Sequence, residues 1–148
     1  MRALINIVAI LMFFITTAFL TQDTTDEVMD CASKAGPSAI YLKDFQVKLP
    51  AAVPGQRPPM FRQAIVLRGN NIYRFNLCNK QGEAILRIYD SSRMILTTYD
   101  PAKQVENNPI SFFCKKTGPY NIVISFKEGK AGESIGVMSH VNTSGSKR

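Results

Sequence analysis

The residues with the greatest chemical reactivity in this sequence are three cysteines and one histidine: Cys31, Cys78, Cys114 and His140. Zinc sites and Cys–His nucleophile pairs use these residue types, but no two cysteines here have the Cys-x-x-Cys spacing of a ligand pair. We therefore expect no metal site. Cysteines in the strands of an exported protein commonly form disulfides. The sequence favours a Cys78–Cys114 bridge, because each residue ends a predicted strand; a bridge from Cys31 and three free thiols are the alternatives.

The spacing of the acidic residues does not predict an active site. They lie at predicted turns, namely Asp90, Asp100, Glu106, Glu128 and Glu133. Capping of the turn accounts for Asp90 and Asp100. The chain also lacks a P-loop, a nucleophile elbow and a dinucleotide fingerprint. We therefore predict that the protein is not an enzyme and binds no cofactor.

The basic residues are the more informative charges. The whole chain carries a net charge of +7, and residues 40–141 contain 14 Lys or Arg against 7 Asp or Glu. Arg74 and Arg87 lie opposite the apolar side of their strands, and Lys115 and Lys116 are adjacent at a turn. We predict a candidate binding face of Arg74, Arg87, Lys115 and Lys116 for an anionic component of the cell envelope or another envelope protein. Solubility alone is the simpler explanation of these charges.

The N-terminus has the features of an export signal. After Met1-Arg2, an apolar run extends from Ala3 to Leu20 and is followed by an acidic segment. The stretch from Phe19 to Asp23 resembles the Gln-Asp junction of many exported proteins of the Bacteroidota. We predict a cleavable signal over 1–22, with an uncleaved membrane anchor as the alternative. The protein is then periplasmic, in the outer envelope or secreted, and a nucleic-acid partner is not expected.

Beyond residue 40 the pattern is that of short strands. Apolar and polar residues alternate in about eight segments separated by turn residues, which is typical of an antiparallel sandwich or barrel. Two packed sheets fit the chain better, and a closed barrel is the alternative. We predict a linker over 23–39, an all-β, jelly-roll-like two-sheet sandwich over 40–141 and a disordered tail over 142–148. The four prolines of Pro50 to Pro59 predict an extended loop. The expected shared core consists of Tyr73, Phe75, Leu86, Ile88, Phe112, Tyr120, Ile122, Ile124 and Phe126.

Three short motifs between Ala64 and Phe126 carry a family resemblance. They are Gly69-x-x-x-Tyr73-x-Phe75, Leu86-x-Ile88-Tyr89-Asp90 and Thr117-Gly118-x-Tyr120-x-Ile122. This stretch resembles the β-sandwich accessory domains of the pre-peptidase C-terminal type in secreted bacterial peptidases. The resemblance implies a non-catalytic, jelly-roll-like accessory module that binds glycan, protein or calcium. The turn chemistry of these motifs predicts that their glycines supply left-handed residues. No peptidase accompanies the domain in this chain.

These observations predict a binding or structural accessory protein of the cell envelope or the medium. A carbohydrate-binding module is the first alternative, and its stacking residues would be Tyr41, Tyr89 and Tyr99, since the chain has no Trp. A small envelope enzyme is the second alternative. The oligomeric state is left open by the sequence.

Overall fold

The computed structural model describes residues 22–102 and 105–142. The predicted signal, apart from Gln22, and the predicted tail beyond Asn142 lie outside the described residues. Eight longer strands confirm the all-β prediction. They are β1 (Ala39–Leu49), β2 (Phe61–Leu67), β3 (Asn71–Gln81), β4 (Ala84–Asp90), β5 (Arg93–Thr97), β8 (Ile110–Cys114), β9 (Gly118–Phe126) and β10 (Gly132–Val141); β6 (Tyr99–Asp100) and β7 (Val105–Glu106) form a small ribbon.

Two antiparallel sheets of four strands form the sandwich. The first sheet has the order β1-β10-β3-β8, and the second has the order β2-β9-β4-β5. Apart from the β4–β5 hairpin, each connection between the longer strands passes from one sheet to the other. This is a jelly-roll arrangement, as the sequence predicted. The edge strands are β1 and β8 in the first sheet and β2 and β5 in the second.

The core lies between the inner faces of the two sheets. All nine predicted core residues are in this layer; Phe112 is partly buried and the others are buried. Gly132 allows the chain to pass close to the Phe126 ring, because a Cβ on residue 132 would lie 2.2 Å from that ring. The loop that contains the four prolines has no strand, as predicted.

The segment predicted to be a linker instead forms helix α1 (Gln22–Ser33). Val28, Cys31 and Ala32 are spaced as one face of a helix, and they pack with Ile135 and Val137 on the outer face of the first sheet. The acidic composition of the segment concealed this short apolar stripe. No helix within the described residues is long and apolar enough to cross a membrane.

One disulfide is present, but the predicted Cys78–Cys114 pairing is wrong. Cys31 of α1 bridges to Cys78 of β3, and Cys114 is a buried free thiol. Although β3 and β8 are neighbours, they run antiparallel, and Cys114 is paired in register with Asn71. Cys78 is seven residues further along β3, about 23 Å away. Cys78 also faces the helix, whereas Cys114 belongs to the layer between the sheets.

The bridge attaches the helix to a distant part of the sequence. Cys31 and Cys78 are separated by 47 residues, and closing a loop of that length stabilises the folded state by roughly 4 kcal/mol in the chain-entropy description. The amide of Asn76 supports the same contact, because its Nδ2 donates to the Cys31 carbonyl at 2.8 Å. Helix α1 is therefore an integral part of the domain.

The packing predicts how much stability the protein loses when each of two phenylalanines is replaced by alanine. Phe75 is 0% exposed in the core, and Phe113 is 52% exposed on an edge strand. We expect Phe75→Ala to lower the free energy of unfolding by about 3–5 kcal/mol. The matched control Phe113→Ala should change it by less than about 0.5 kcal/mol. Equilibrium denaturation in urea measures both values, and equal losses in the two variants would contradict the assigned facing of the strands.

Candidate functional site

The jelly-roll connections bring three short turns to one end of the sandwich, which we call the tip. They are the β2–β3 turn at residues 68–70, the β4–β5 turn at 91–92 and the β8–β9 turn at 115–117. The opposite end, called the far end, holds the proline-containing loop and the β3–β4 and β9–β10 connections. Because the strands are antiparallel, residues distant in the sequence meet at the tip.

Two of the tip turns are locked against each other. The Gly69 amide donates to Thr117 Oγ1 at 2.8 Å, and the Asn70 amide donates to the Cys114 carbonyl at 2.7 Å. A Cβ at Gly69 would lie 2.9 Å from the Thr117 amide nitrogen, so this close approach requires glycine. The left-handed residue of the turn is Asn70, with φ of 60°, and not the motif glycine Gly69 as its turn chemistry predicted.

A hydrogen-bonded carbonyl fixes the β8–β9 turn. The backbone oxygen of Lys116 accepts from the Tyr120 hydroxyl at 2.9 Å and from Cys114 Sγ at 3.2 Å. The hydrogen bond with Cys114, together with burial, raises the pKa of Tyr120 to about 12. The phenol is therefore held in its neutral form, which is the form that can donate to this carbonyl. The backbone that carries Lys115 and Lys116 is thus anchored to the core.

A groove of about 360 Å³ lies at the tip, between the edge strands β5 and β8. We call it the edge groove. Three of its lining residues are cations, namely Arg93, Lys115 and Lys116, and three are apolar, namely Ile95, Phe112 and Phe113. The carboxylate of Asp90 and the phenol of Tyr120 complete the lining. The Phe112 and Tyr120 rings meet edge to face, with centroids 5.7 Å apart. The groove therefore combines an apolar lining with an excess of positive charge.

The charges at the two ends of the sandwich are organised differently. Far-end lysines pair with carboxylates, as in Lys48–Glu133 at 3.1 Å and Lys127–Glu83 at 2.8 Å. At the tip, none of the basic residues forms an ion pair with a described carboxylate; these residues are Arg68, Arg93, Lys115 and Lys116. With Asp90 as the acid of the edge groove, four cations and one carboxylate give the tip turns and groove a charge of +3.

The structure separates the four residues of the predicted binding face. Arg74 lies on the outer face of the first sheet, where its Nη1 donates to the Ala35 carbonyl at 2.5 Å beyond the end of α1. Arg87 lies on the second sheet and donates to Ser125 Oγ at 2.8 Å. Since Arg74 and Arg87 project from opposite sides of the sandwich, they do not form one face. Lys115 and Lys116 remain together at the tip.

Sequence reasoning missed the other half of this cluster, Arg68 and Arg93. Each stands alone at the end of a strand with no other cation next to it in the sequence, and only the fold brings them close to the two lysines. Strand direction was the signal that could have grouped them, because β2 and β8 run toward the tip and β5 runs away from it.

The histidine and the turn carboxylates have local partners. His140 Nε2 lies 3.1 Å from Asn71 Oδ1, and its ring packs against Tyr73. Lys130 lowers the pKa of Glu128, and Lys48 lowers that of Glu133, through hydrogen-bonded ion pairs. Within the part of the chain that the structure describes, no three His, Cys, Asp or Glu residues are grouped to hold a metal ion.

Comparison with known proteins does not assign the chain. No protein-family model matches it, and no curated protein matches it. The resemblance to peptidase accessory domains therefore stays a prediction. The geometry and charge of the tip are the evidence that bears on function.

The environment of Tyr120 gives a testable ionisation. The neutral phenol stabilises the fold below the ordinary tyrosine pKa of about 10, and that contribution is lost as the pH rises through about 12. The hydrogen bond to Asp44 also raises the pKa of Tyr41, so the titration is done in a Tyr41→Phe background. Ultraviolet titration of tyrosinate should then show one late ionisation that Tyr120→Phe removes and Tyr89→Phe retains. Circular dichroism on the same samples confirms that the fold is intact. A late step that persists in Tyr120→Phe would contradict the hydrogen-bond assignment.

Proposed function

We propose that this chain is an exported, non-catalytic binding protein of the cell envelope or the medium, and that it contacts an anionic partner through the basic tip. The observation that carries the proposal is a group of four cations that the fold brings together at the tip and that form no ion pair among the described residues: Arg68, Arg93, Lys115 and Lys116. Unpaired positive charge on one end raises the rate of encounter with anionic surfaces.

The rigidity of the tip supports a binding role. The Gly69–Thr117 and Tyr120–Lys116 hydrogen bonds fix the two turns before any partner arrives. A preorganised turn loses little conformational entropy on binding, so more of the electrostatic attraction remains as affinity. Charges that serve solubility alone do not require turns fixed by hydrogen bonds.

Export is supported by two independent features. The apolar run from Ala3 to Leu20 has the pattern of a targeting segment, and the Cys31–Cys78 disulfide is of the kind that persists in oxidising compartments. The proposed partner is accordingly an anionic envelope component or an acidic envelope protein.

A carbohydrate-binding module remains the alternative, and one observation favours it. Tyr41 is exposed beside a groove of about 610 Å³ between α1 and β1, and its hydroxyl donates to Asp44 Oδ1 at 2.7 Å. An aromatic ring with an adjacent hydrogen-bonding group is suited to stacking on a sugar. Salt-insensitive retention on a neutral glycan would favour this alternative over the basic tip.

The export part of the proposal predicts the mature form of the protein. N-terminal sequencing of protein recovered from the envelope or the medium should place the first residue between Phe19 and Asp23. A non-reducing peptide map of the same sample should show Cys31 joined to Cys78 and Cys114 reduced. A chain that begins at Met1 would indicate an anchor, and three alkylated thiols would contradict the oxidising compartment.

The binding part predicts salt-dependent retention on immobilised heparin, used here as a soluble polyanion. Wild type should bind at low salt and elute as salt screens the charges over about 8–10 Å. Lys115→Glu with Lys116→Glu should weaken binding on the order of tenfold. The matched control, Arg57→Glu with Arg62→Glu, makes the same change in net charge away from the tip and should retain most of the binding. Equal loss in both double variants would show that only net charge matters.

A further inference from the structure

The edge groove has an apolar floor that lies between the two sheets. Ile95 and Phe112 are partly buried and pack against the core, and Tyr120 is a buried core residue. The rings of Phe112 and Tyr120 meet edge to face. The groove is therefore an opening at the edge of the sandwich, and it exposes part of the apolar layer between the sheets.

A bulge in strand β5 contributes to this floor. In the pairing of β5 with β4, the register skips Ile95, which has no partner on β4. The extra residue turns Ile95 to the same side as Leu96, and both side chains pack against the core. A regular strand would place these two residues on opposite faces. Bulges of this kind are common beside binding and active sites, where they redirect a side chain.

The charged residues that line the groove leave a net charge of +2. Arg93, Lys115 and Lys116 are exposed and form no ion pair among the described residues, and Asp90 is the acid of the lining. Three cations less one carboxylate give +2. A phosphate monoester carries a charge of about −1.5 to −2 at neutral pH, whereas a carboxylate carries a single negative charge. The lining therefore complements one phosphate better than one carboxylate.

We infer that the edge groove binds a single-chain amphiphile with a phosphate monoester headgroup, the phosphate beside the three cations and the first part of the aliphatic chain on the apolar floor. The inference rests on the proposed function, because it names the chemistry of the anionic partner of these cations. The groove volume of about 360 Å³ lies within the range of about 300–1,000 Å³ that is usual for small-molecule sites.

The hydrogen bonds of the floor favour an aliphatic chain over a sugar or a peptide group. The Tyr120 hydroxyl donates to the Lys116 carbonyl at 2.9 Å and accepts from Cys114 Sγ at 3.6 Å. Because this hydroxyl is already paired, the floor offers ring and aliphatic surface. A sugar or peptide group would lose its hydrogen bonds to water there without replacement, whereas an alkyl chain gains by leaving water.

The size of the groove favours a small ligand over an acidic protein. Eight residues line the groove, whereas each side of a stable protein interface uses about 20–30 residues. A protein partner would make most of its contacts outside the groove, so filling the groove would change its affinity little. The chain of a bound amphiphile depends on the groove for its apolar contact.

The test is isothermal titration calorimetry of the mature protein with decyl phosphate, kept below the concentration at which it forms micelles. Inorganic phosphate supplies the charge without the chain, decanol supplies the chain without the charge, and decanoate supplies a chain with a single charge. We expect one decyl phosphate to bind per protein and decanoate to bind on the order of tenfold more weakly. Inorganic phosphate and decanol should not bind measurably.

Two neighbouring residues of β5 provide a matched pair of variants. Ile95→Trp fills the groove, whereas Met94→Trp places the same ring on the outer face of the second sheet, where Met94 is 49% exposed and paired with Tyr89. Ile95→Trp should weaken the binding of decyl phosphate on the order of tenfold and retain heparin binding. Met94→Trp should bind both like wild type, and Lys115→Glu with Lys116→Glu should lose both.

A measurement on wild type keeps the test decisive if circular dichroism shows that Ile95→Trp does not fold. Decyl phosphate should shift the backbone amide resonances of Arg93, Ile95 and Lys115 in nuclear magnetic resonance spectra. The amide resonances of Glu83 and Lys127 at the far end should not move. Shifts confined to the far end would overturn the inference.

The outcomes separate this inference from the proposed function. Retention on heparin without binding of decyl phosphate would overturn the inference, leave the tip as a polyanion or acidic-protein site, and so keep the proposed function. Failure to bind either would overturn both. An affinity for inorganic phosphate, decanol or decanoate equal to that for decyl phosphate, or an unchanged affinity in a folded Ile95→Trp variant, would overturn the assignment of a phosphate amphiphile to the groove.

Discussion

The apolar layer between the two sheets is the constraint on which the rest of this molecule depends. Buried rings such as Phe75 and Phe126 set which face of each strand points inward, and the period of two along a strand then fixes every outward side chain. Along β8 this rule places Phe112 and Cys114 in the core and leaves Phe113 at the surface. The chemistry of the tip is therefore a consequence of how the core is packed.

The same layer determines which loops meet. Once two antiparallel sheets pack in jelly-roll order, the β2–β3, β4–β5 and β8–β9 turns lie at one end, whatever their composition. The Gly69–Thr117 hydrogen bond then joins two of these turns, which are 48 residues apart in the chain. The positions of Arg68 and Lys116 relative to each other are thus set by topology and by one close backbone contact, and only their charge is set locally.

Sequence patterns were sufficient to predict the strands. They were insufficient to predict the contacts that join distant segments, which are the packing of helix α1, the disulfide and the cluster of cations at the tip. Alternation predicted the core because a half-buried strand repeats every two residues, and that signal is local. Helix α1 was missed because its apolar stripe is only three residues of an acidic segment, so it becomes evident only against Ile135 and Val137. The disulfide partner of Cys78 and the companions of Lys115 both depend on strand direction, which no local pattern encodes.

The two ends of the molecule differ in how their basic residues are paired. Far-end lysines such as Lys80 and Lys127 have raised pKa values because their ammonium groups are hydrogen-bonded to carboxylates. Those pairs neutralise one another and give little long-range field. Among the described residues the tip cations have no such carboxylate partners, so the positive potential is concentrated at that end of the domain.

The Cys31–Cys78 disulfide holds helix α1 against the first sheet. A helix of 12 residues is marginal in water without tertiary contacts, and α1 covers Ile135 and Val137 on the outer face of the first sheet. Without the Cys31–Cys78 bridge, a small apolar contact, the Asn76 and Arg74 hydrogen bonds and the Lys80–Glu27 ion pair would hold it there. An exposed apolar sheet face beside a positively charged tip would bind anionic amphiphiles indiscriminately. The Cys31–Cys78 bridge keeps α1 over that face, and a disulfide of this kind fits an oxidising compartment.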